Sequence, residues 1–259
     1  MKARDTVMLW LFALAGETLG APAGPANMVL VPAGIYHPLF ESRTAPAGIK
    51  VSSFYLDALP VTVGDYLEFV LANPQWQRSR VKRIFADEAY LQNWEGDLKP
   101  GTTDLADALI TQVSWFAARA YAQWKGKRLP TIAEWERAAA ASPTRPDGEN
   151  DPAFRRQILE WYATPSFPLV SVEQGKPNFW GIRDLHGMVW EWVLDFNAAL
   201  LGDDTQAGGQ NSRGLFCGGA SQGARDVDDY PAFMRTGFRS SLKADYCVHN
   251  LGFRCAKDL

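Results

Sequence analysis

The segment GKRLPTIAEWERAAAAS, Gly126 to Ser142, admits few local structures and sets the scale of what surrounds it. Pro130 lacks an amide proton and has a fixed φ, so it is excluded from a helix interior but fits just ahead of one. Thr131 with Glu134 three positions on forms a capping box, each side chain serving a free backbone amide at the helix start. The short helix that follows carries a tryptophan between two glutamates. Its spacing turns Trp135 and Ala139 inward, gives Glu134 to the cap, and leaves Glu136 facing outward or meeting an arginine. The same punctuation runs through the chain: 22 glycines, 16 prolines and ten tryptophans call for many turns around large rings rather than for long helices.

Upstream, MVLVPAGIYHPLF (Met28 to Phe40) and IKVSSFYLDALPVT (Ile49 to Thr62) are rich in β-branched and aromatic residues and read as strands. Thr62 and Asp65 cap a first helix that stops at Asn73 and Pro74, and the polar stretch from Gln75 to Thr103 reads as a long loop. Ser114 caps a second helix, WFAARAYAQW, with Phe116, Ala120 and Trp124 as its apolar stripe and Gly126 as its end. SPTRPDGEND (142 to 151) is a polar surface excursion. Beyond it MVWEWVLDF, GLFCGGAS, FMRTGFRSSL and LGFRCA read as short strand-like pieces. With no internal repeat and no shift in composition, the expectation is one α+β domain with much irregular structure, helices early and strands late.

A formal charge of −3 without basic runs gives no electrostatic footprint for nucleic acid. Residues 1–23 read differently from the rest: Lys2 and Arg4, the apolar run VMLWLFALA from Val7 to Ala15, then small residues. This is the pattern of a secretory signal peptide, with a buried strand or helix as the alternative. Cleavage would leave a mature chain starting near Pro22 or Gly24, periplasmic or secreted, with no transmembrane span. Cys217, Cys247 and Cys255 allow at most one disulfide; each is otherwise a small buried hydrophobe, a soft-metal ligand or a thiol nucleophile.

Four stretches in order, PVTVGDYLEF (60 to 69), VSWFAARAYAQWKGKRLPTIAEWERAA (113 to 139), GIRDLHGMVWEWVLD (181 to 195) and NLGFRCA (250 to 256), resemble the formylglycine-generating enzymes, or sulfatase-modifying factors. The resemblance implies a variant C-type lectin fold over residues 28–259. It also implies a protein or peptide as substrate or partner. In that family two cysteines hold Cu(I), in a segment whose counterpart here is CGGASQGARDVDDYPAFMRTGFRSS, Cys217 to Ser241. Matching Tyr230, Arg235 and Arg239 to the family pattern puts Pro231 at the second copper cysteine and Asp226 or a neighbour at the first. The resemblance therefore argues against copper at that site. Met188 stands where the family carries an asparagine of a calcium site, which weakens any calcium binding.

Cys217, Tyr230, Arg235 and Arg239 are the catalytic candidates. Asp226, Asp228, Asp229 and His186 are candidates for a different metal, such as iron, with solvated turn aspartates as the plainer reading. Arg235, Arg239 and Arg254 either line a groove or pair with Asp184, Glu191 or Asp195. Family membership leaves catalysis itself undecided. One expectation is an accessory or maturation factor, or a non-sulfatase oxidoreductase, acting on a protein or peptide; the C-terminal motifs resemble a subgroup associated with copper nitrite reductase in denitrification. The other is a catalytically inert lectin-like binder of a protein partner, such as an immunity protein.

Overall fold

The computed structural model describes residues 25–40, 48–101, 106–164, 175–198 and 224–259. Residues 1–23, where the sequence suggests a signal peptide, the GLFCGGAS stretch and Cys217 lie outside them. The architecture is α+β, with five helices threaded among small sheets. Strands β1 (Met28–Val31), β4 (Phe54–Asp57) and β7 (Ala256–Asp258) form an antiparallel sheet in the order β1-β4-β7. Strands β2 (Gly34–Tyr36) and β3 (Ile49–Val51) form an antiparallel pair, and β5 (Trp190–Trp192) lies parallel to β6 (Leu251–Phe253). The helices are α1 (Val63–Ala72), α2 (Trp115–Trp124), α3 (Ile132–Ala139), α4 (Pro152–Ala163) and α5 (Tyr230–Ser241).

Both capping boxes form: Thr62 with Asp65 opens α1, and Thr131 with Glu134 opens α3. The long strands expected at 28–40 and 49–62 are each broken in two. Pro32 cannot donate to a ladder, so the chain leaves the first sheet there and enters the β2–β3 pair. On α2 the buried face is Ala117, Ala118, Tyr121 and Ala122, whereas Trp124 stays 39% exposed. Aromatic neighbours explain the shift, because Tyr121 stacks on Tyr66 at 5.9 Å and meets Phe253 edge-on at 5.3 Å.

Three segments differ from the sequence reading. FMRTGFRSSL is helical: Asp229 accepts from the Ala232 amide and Pro231 occupies the first turn, a start signal that outweighs the phenylalanines at 233 and 238. Helix α4, capped by Asp151, has no counterpart in the sequence reading. The stretch after Gln75 is irregular, as expected, but it delivers Ala86, Tyr90, Leu91 and Trp94 to the core at 2% exposure or less. Tyr90 donates to the Trp76 carbonyl at 2.8 Å and so accepts from Tyr66, also at 2.8 Å.

The centre of the molecule is an ion pair. Arg254 and Glu191 side chains are both fully buried, with Arg254 Nε and Nη2 on both carboxylate oxygens at 2.8–3.0 Å. The remaining guanidinium donors go to the carbonyls of Asp57 and Arg183. Beside it β6 passes against the Ile110 carbonyl, where a Cβ on Gly252 would sit 2.6 Å from that oxygen. Gly252→Ala is therefore expected to lower stability by about 1–3 kcal/mol in urea unfolding, with the slope of the transition unchanged.

Candidate functional site

The EWE triplet of α3 sends three consecutive side chains to three places. Glu134 accepts from the Thr131 amide at 2.8 Å and forms a two-point bridge to Arg128, both bonds 2.7 Å. Trp135 donates its indole N–H to Glu191 at 2.7 Å, which ties the helix to the buried pair. Glu136 is buried, not outward-facing, and accepts from Arg235 at 2.8–3.0 Å and from Arg239. These two arginines are four apart on α5, so one helix face presents both to one carboxylate. Their guanidiniums also lie over the Trp135 ring, Arg239 at 4.9 Å and Arg235 at 5.9 Å from its centroid.

Burial by itself would raise the Glu136 carboxyl, but the two guanidiniums overcome that and hold it down at about 2. The chain of contacts continues to His186. Arg235 Nη1 reaches the Tyr162 hydroxyl at 3.4 Å, and that hydroxyl is 3.0 Å from His186 Nδ1. Nε2 of His186 lies 3.0 Å from the Ala139 carbonyl, which only accepts. That places a proton on Nε2, and the lowered pKa of the buried ring leaves Nδ1 bare to accept from Tyr162. Burial among Trp135, Phe154 and Trp161, with the Arg235 charge beyond, pulls its pKa down to about 4.

Over this cluster lies a small cavity of about 40 Å³ that reaches Tyr36, Arg155, His186 and Arg235. It adjoins an open cavity of about 420 Å³. The two share Tyr36, His37, Glu136, Ala140, Glu149 and Arg225, and together they make one groove. Helix α3 packs against β2, which supplies Tyr36, and α4 packs against α5 on the far wall. The Tyr36 hydroxyl is raised well above its usual pKa by burial and by Glu136, so it stays protonated.

A family model described as the sulfatase-modifying factor enzyme 1-like domain matches residues 17–259. The chain belongs to that family. Among its relatives, the bovine formylglycine-generating enzyme is 27% identical over 92% of this chain and 76% of its own length. The bovine "Inactive C-alpha-formylglycine-generating enzyme 2" is 28% identical over 89% of this chain and 87% of its own. A chlamydial protein named serine/threonine-protein kinase pkn1, from Chlamydia caviae, is 29% identical over 85% of this chain, which spans only 34% of that protein. Among solved structures, PvdO from Pseudomonas aeruginosa is 19% identical, with a TM-score of 0.47 over 90% of this chain and 94% of that one.

At the positions that the sequence reading matches to the family's copper cysteines, the described residues do not fit Cu(I). Pro231 is buried in the first turn of α5 and has no donor atom. Asp226 offers hard oxygens, one of them 2.6 Å from Arg155. Asp229 shares that arginine at 3.9 Å, and Asp228 is exposed with its amide on Asp226. The described thiols, Cys247 and Cys255, are buried and free, and burial together with Asp87 and Asp57 pushes each of them up. Calcium fares no better at Met188, which packs on the apolar pair Leu109 and Val189.

Of the expected site residues, the fold brings Arg235, Asp226, Asp229 and His186 to one cavity wall. Arg239 stands behind Glu136, and Tyr230 is 59% exposed at the start of α5. Among the described residues no group of three or more His, Cys, Asp or Glu side chains is placed to hold a metal. Arg254 takes Glu191, while Asp195 caps α3 through the Ile132 amide at 2.7 Å rather than meeting an arginine. Sequence reasoning missed Tyr36, Tyr162 and Arg155, which belong to a strand end and a helix that carried no chemical motif.

Two outcomes follow for stability. Glu136→Gln leaves two buried guanidiniums without a counter-charge and is expected to lose about 3 kcal/mol or more by chemical denaturation. On acidification, His186 stays neutral in the fold until about pH 4 but takes a proton near its ordinary 6.5 when unfolded. The unfolded state then binds more protons, so stability falls as pH drops from about 6.5 toward 4. Glu136, held below its usual range, removes more between about 4.5 and 2. His186→Asn is expected to flatten the upper part of that pH profile and leave the lower part in place.

Proposed function

We propose that this chain is an exported accessory factor of the sulfatase-modifying family that binds a protein or peptide segment in the groove between β2 and α5, without the family's copper chemistry. The observation that carries the reading is the closure of Arg235 and Arg239 on Glu136 beside Pro231. The position that would need a thiolate has a ring without donors, and the neighbouring cations are spent on holding the groove floor rigid. A groove with a fixed, polar floor and an open rim suits capture of an extended segment. That a relative over most of the chain is itself named inactive is compatible with this.

The basic and apolar pattern of residues 1–23 supports export, and no helix among the described residues is long and apolar enough to cross a membrane. The narrower form of the reading is a periplasmic maturation factor, with copper nitrite reductase as the candidate client suggested by the C-terminal motifs. A lectin-like immunity protein uses the same groove without any client chemistry.

Purification of the full chain from its native source decides between these and the copper oxidase. The expected result is substoichiometric copper and iron, no oxidation of a C-x-P-x-R peptide, and one protein partner in near-equal amount. Stoichiometric copper together with peptide oxidation would overturn the proposal.

A further inference from the structure

The outer cavity is lined by two arginines that stand in no ion pair among the described residues, although, after the Asp228 amide and Arg155, Arg225 helps to hold down the Asp226 carboxyl. Arg137, next to Glu136 on α3, lies over the Trp180 ring at 5.5 Å and gives Nη1 to the Pro146 carbonyl at 3.3 Å. Its Nε is buried without an acceptor, and so is the indole N–H of Trp180. Gly34 leaves room for this guanidinium, since a Cβ there would collide with it. Arg225 stands on the rim, exposed, with its backbone amide tied to the Leu39 carbonyl and its side chain in no ion pair.

The other charges around the cavity do not cancel these two. Glu136 already faces two guanidiniums, Asp147 pairs with Arg145 at 3.4 Å, and Arg155 faces Asp226 and Asp229. Among the described residues, Glu149 is the acid of this wall outside an ion pair. A half-buried guanidinium with an orphaned N–H is costly to keep, and such local violations concentrate at functional sites.

We propose that Arg137 and Arg225 form an anion subsite that takes one carboxylate of the bound segment, either an acidic side chain or a chain terminus. This deepens the groove-binding reading and rests on it. Guanidinium planes match carboxylates at two points, which a lysine does not reproduce. Glu149 on the same wall repels a second carboxylate and accepts an N–H of the segment, so the site selects a single acid. A cavity of about 420 Å³ admits such a side chain with its backbone.

The test uses three N-acetylated tripeptides on the full chain, followed by tryptophan fluorescence: one with a central Glu and an amidated end, its Gln counterpart, and an all-Ala peptide with a free carboxyl end. The Glu peptide or the free-ended peptide is expected to saturate and the Gln peptide not to, which also tells side chain from terminus. Arg137→Gln and Arg225→Gln are each expected to weaken that binding by about tenfold, with Arg137→Lys in between. Arg225 is exposed, so its variant keeps the test valid if Arg137→Gln fails to fold. Binding of the Gln peptide as tight as that of whichever carboxylate peptide saturates, or unchanged affinity in Arg225→Gln, overturns the subsite while leaving the groove reading standing. Binding by none of the three overturns the subsite as well, and only the further absence of a co-purifying partner removes the groove reading with it.

Discussion

The Arg254–Glu191 pair is the contact on which the rest of the structure hangs. Two charges at zero side-chain exposure would be a net loss without full satisfaction, because the desolvation of each ion is several kcal/mol. Here every neighbour is arranged to satisfy them. The guanidinium reaches carbonyls at Asp57 and Arg183, and the carboxylate takes the Trp135 indole as a further donor. Five separate segments thus meet at one pair: the end of β4, α3, the turn before β5, β5 itself, and the residue after β6. The pair fixes where α3 sits, and α3 fixes the groove.

From Trp135 the influence passes outward through one ring. Its N–H points to the buried pair and its face carries the two arginines that clamp Glu136. Core and groove floor are therefore mechanically continuous, without an intervening layer of loop.

How much of this was legible in the sequence depended on the range of the interaction. The capping boxes at Thr62 and Thr131 are local chemistry, and both were readable from four residues each. Glu136 was not, since its partners lie 99 and 103 positions away and helical spacing alone leaves it outside or paired. Helix α5 was misread because Phe233, Phe238 and the small residues between them mimic a strand; the start signal at Asp229 and Pro231 was present but sat inside a segment aligned for its missing cysteines. The buried aromatics between Gln77 and Gly101 follow no period, as Tyr90 and Trp94 both answer to Tyr66 of α1 rather than to a repeating backbone. The mismatch between Pro231 and a thiolate position, by contrast, needs no structure to see, because it is a statement about atoms a side chain lacks.

The EWE triplet also limits how this groove can diversify. Successive residues on a helix point about 100° apart, so rotating α3 by one position would take Glu134 from Arg128, Trp135 from Glu191 and Glu136 from Arg235 in a single step. The floor is in effect keyed, like a shaft with three splines. Change in what the groove accepts must then come from its rim, from His37, Glu149 and Arg225, whose side chains are not bound into that key. A fold built this way can alter its partner repeatedly while its interior sequence stays still.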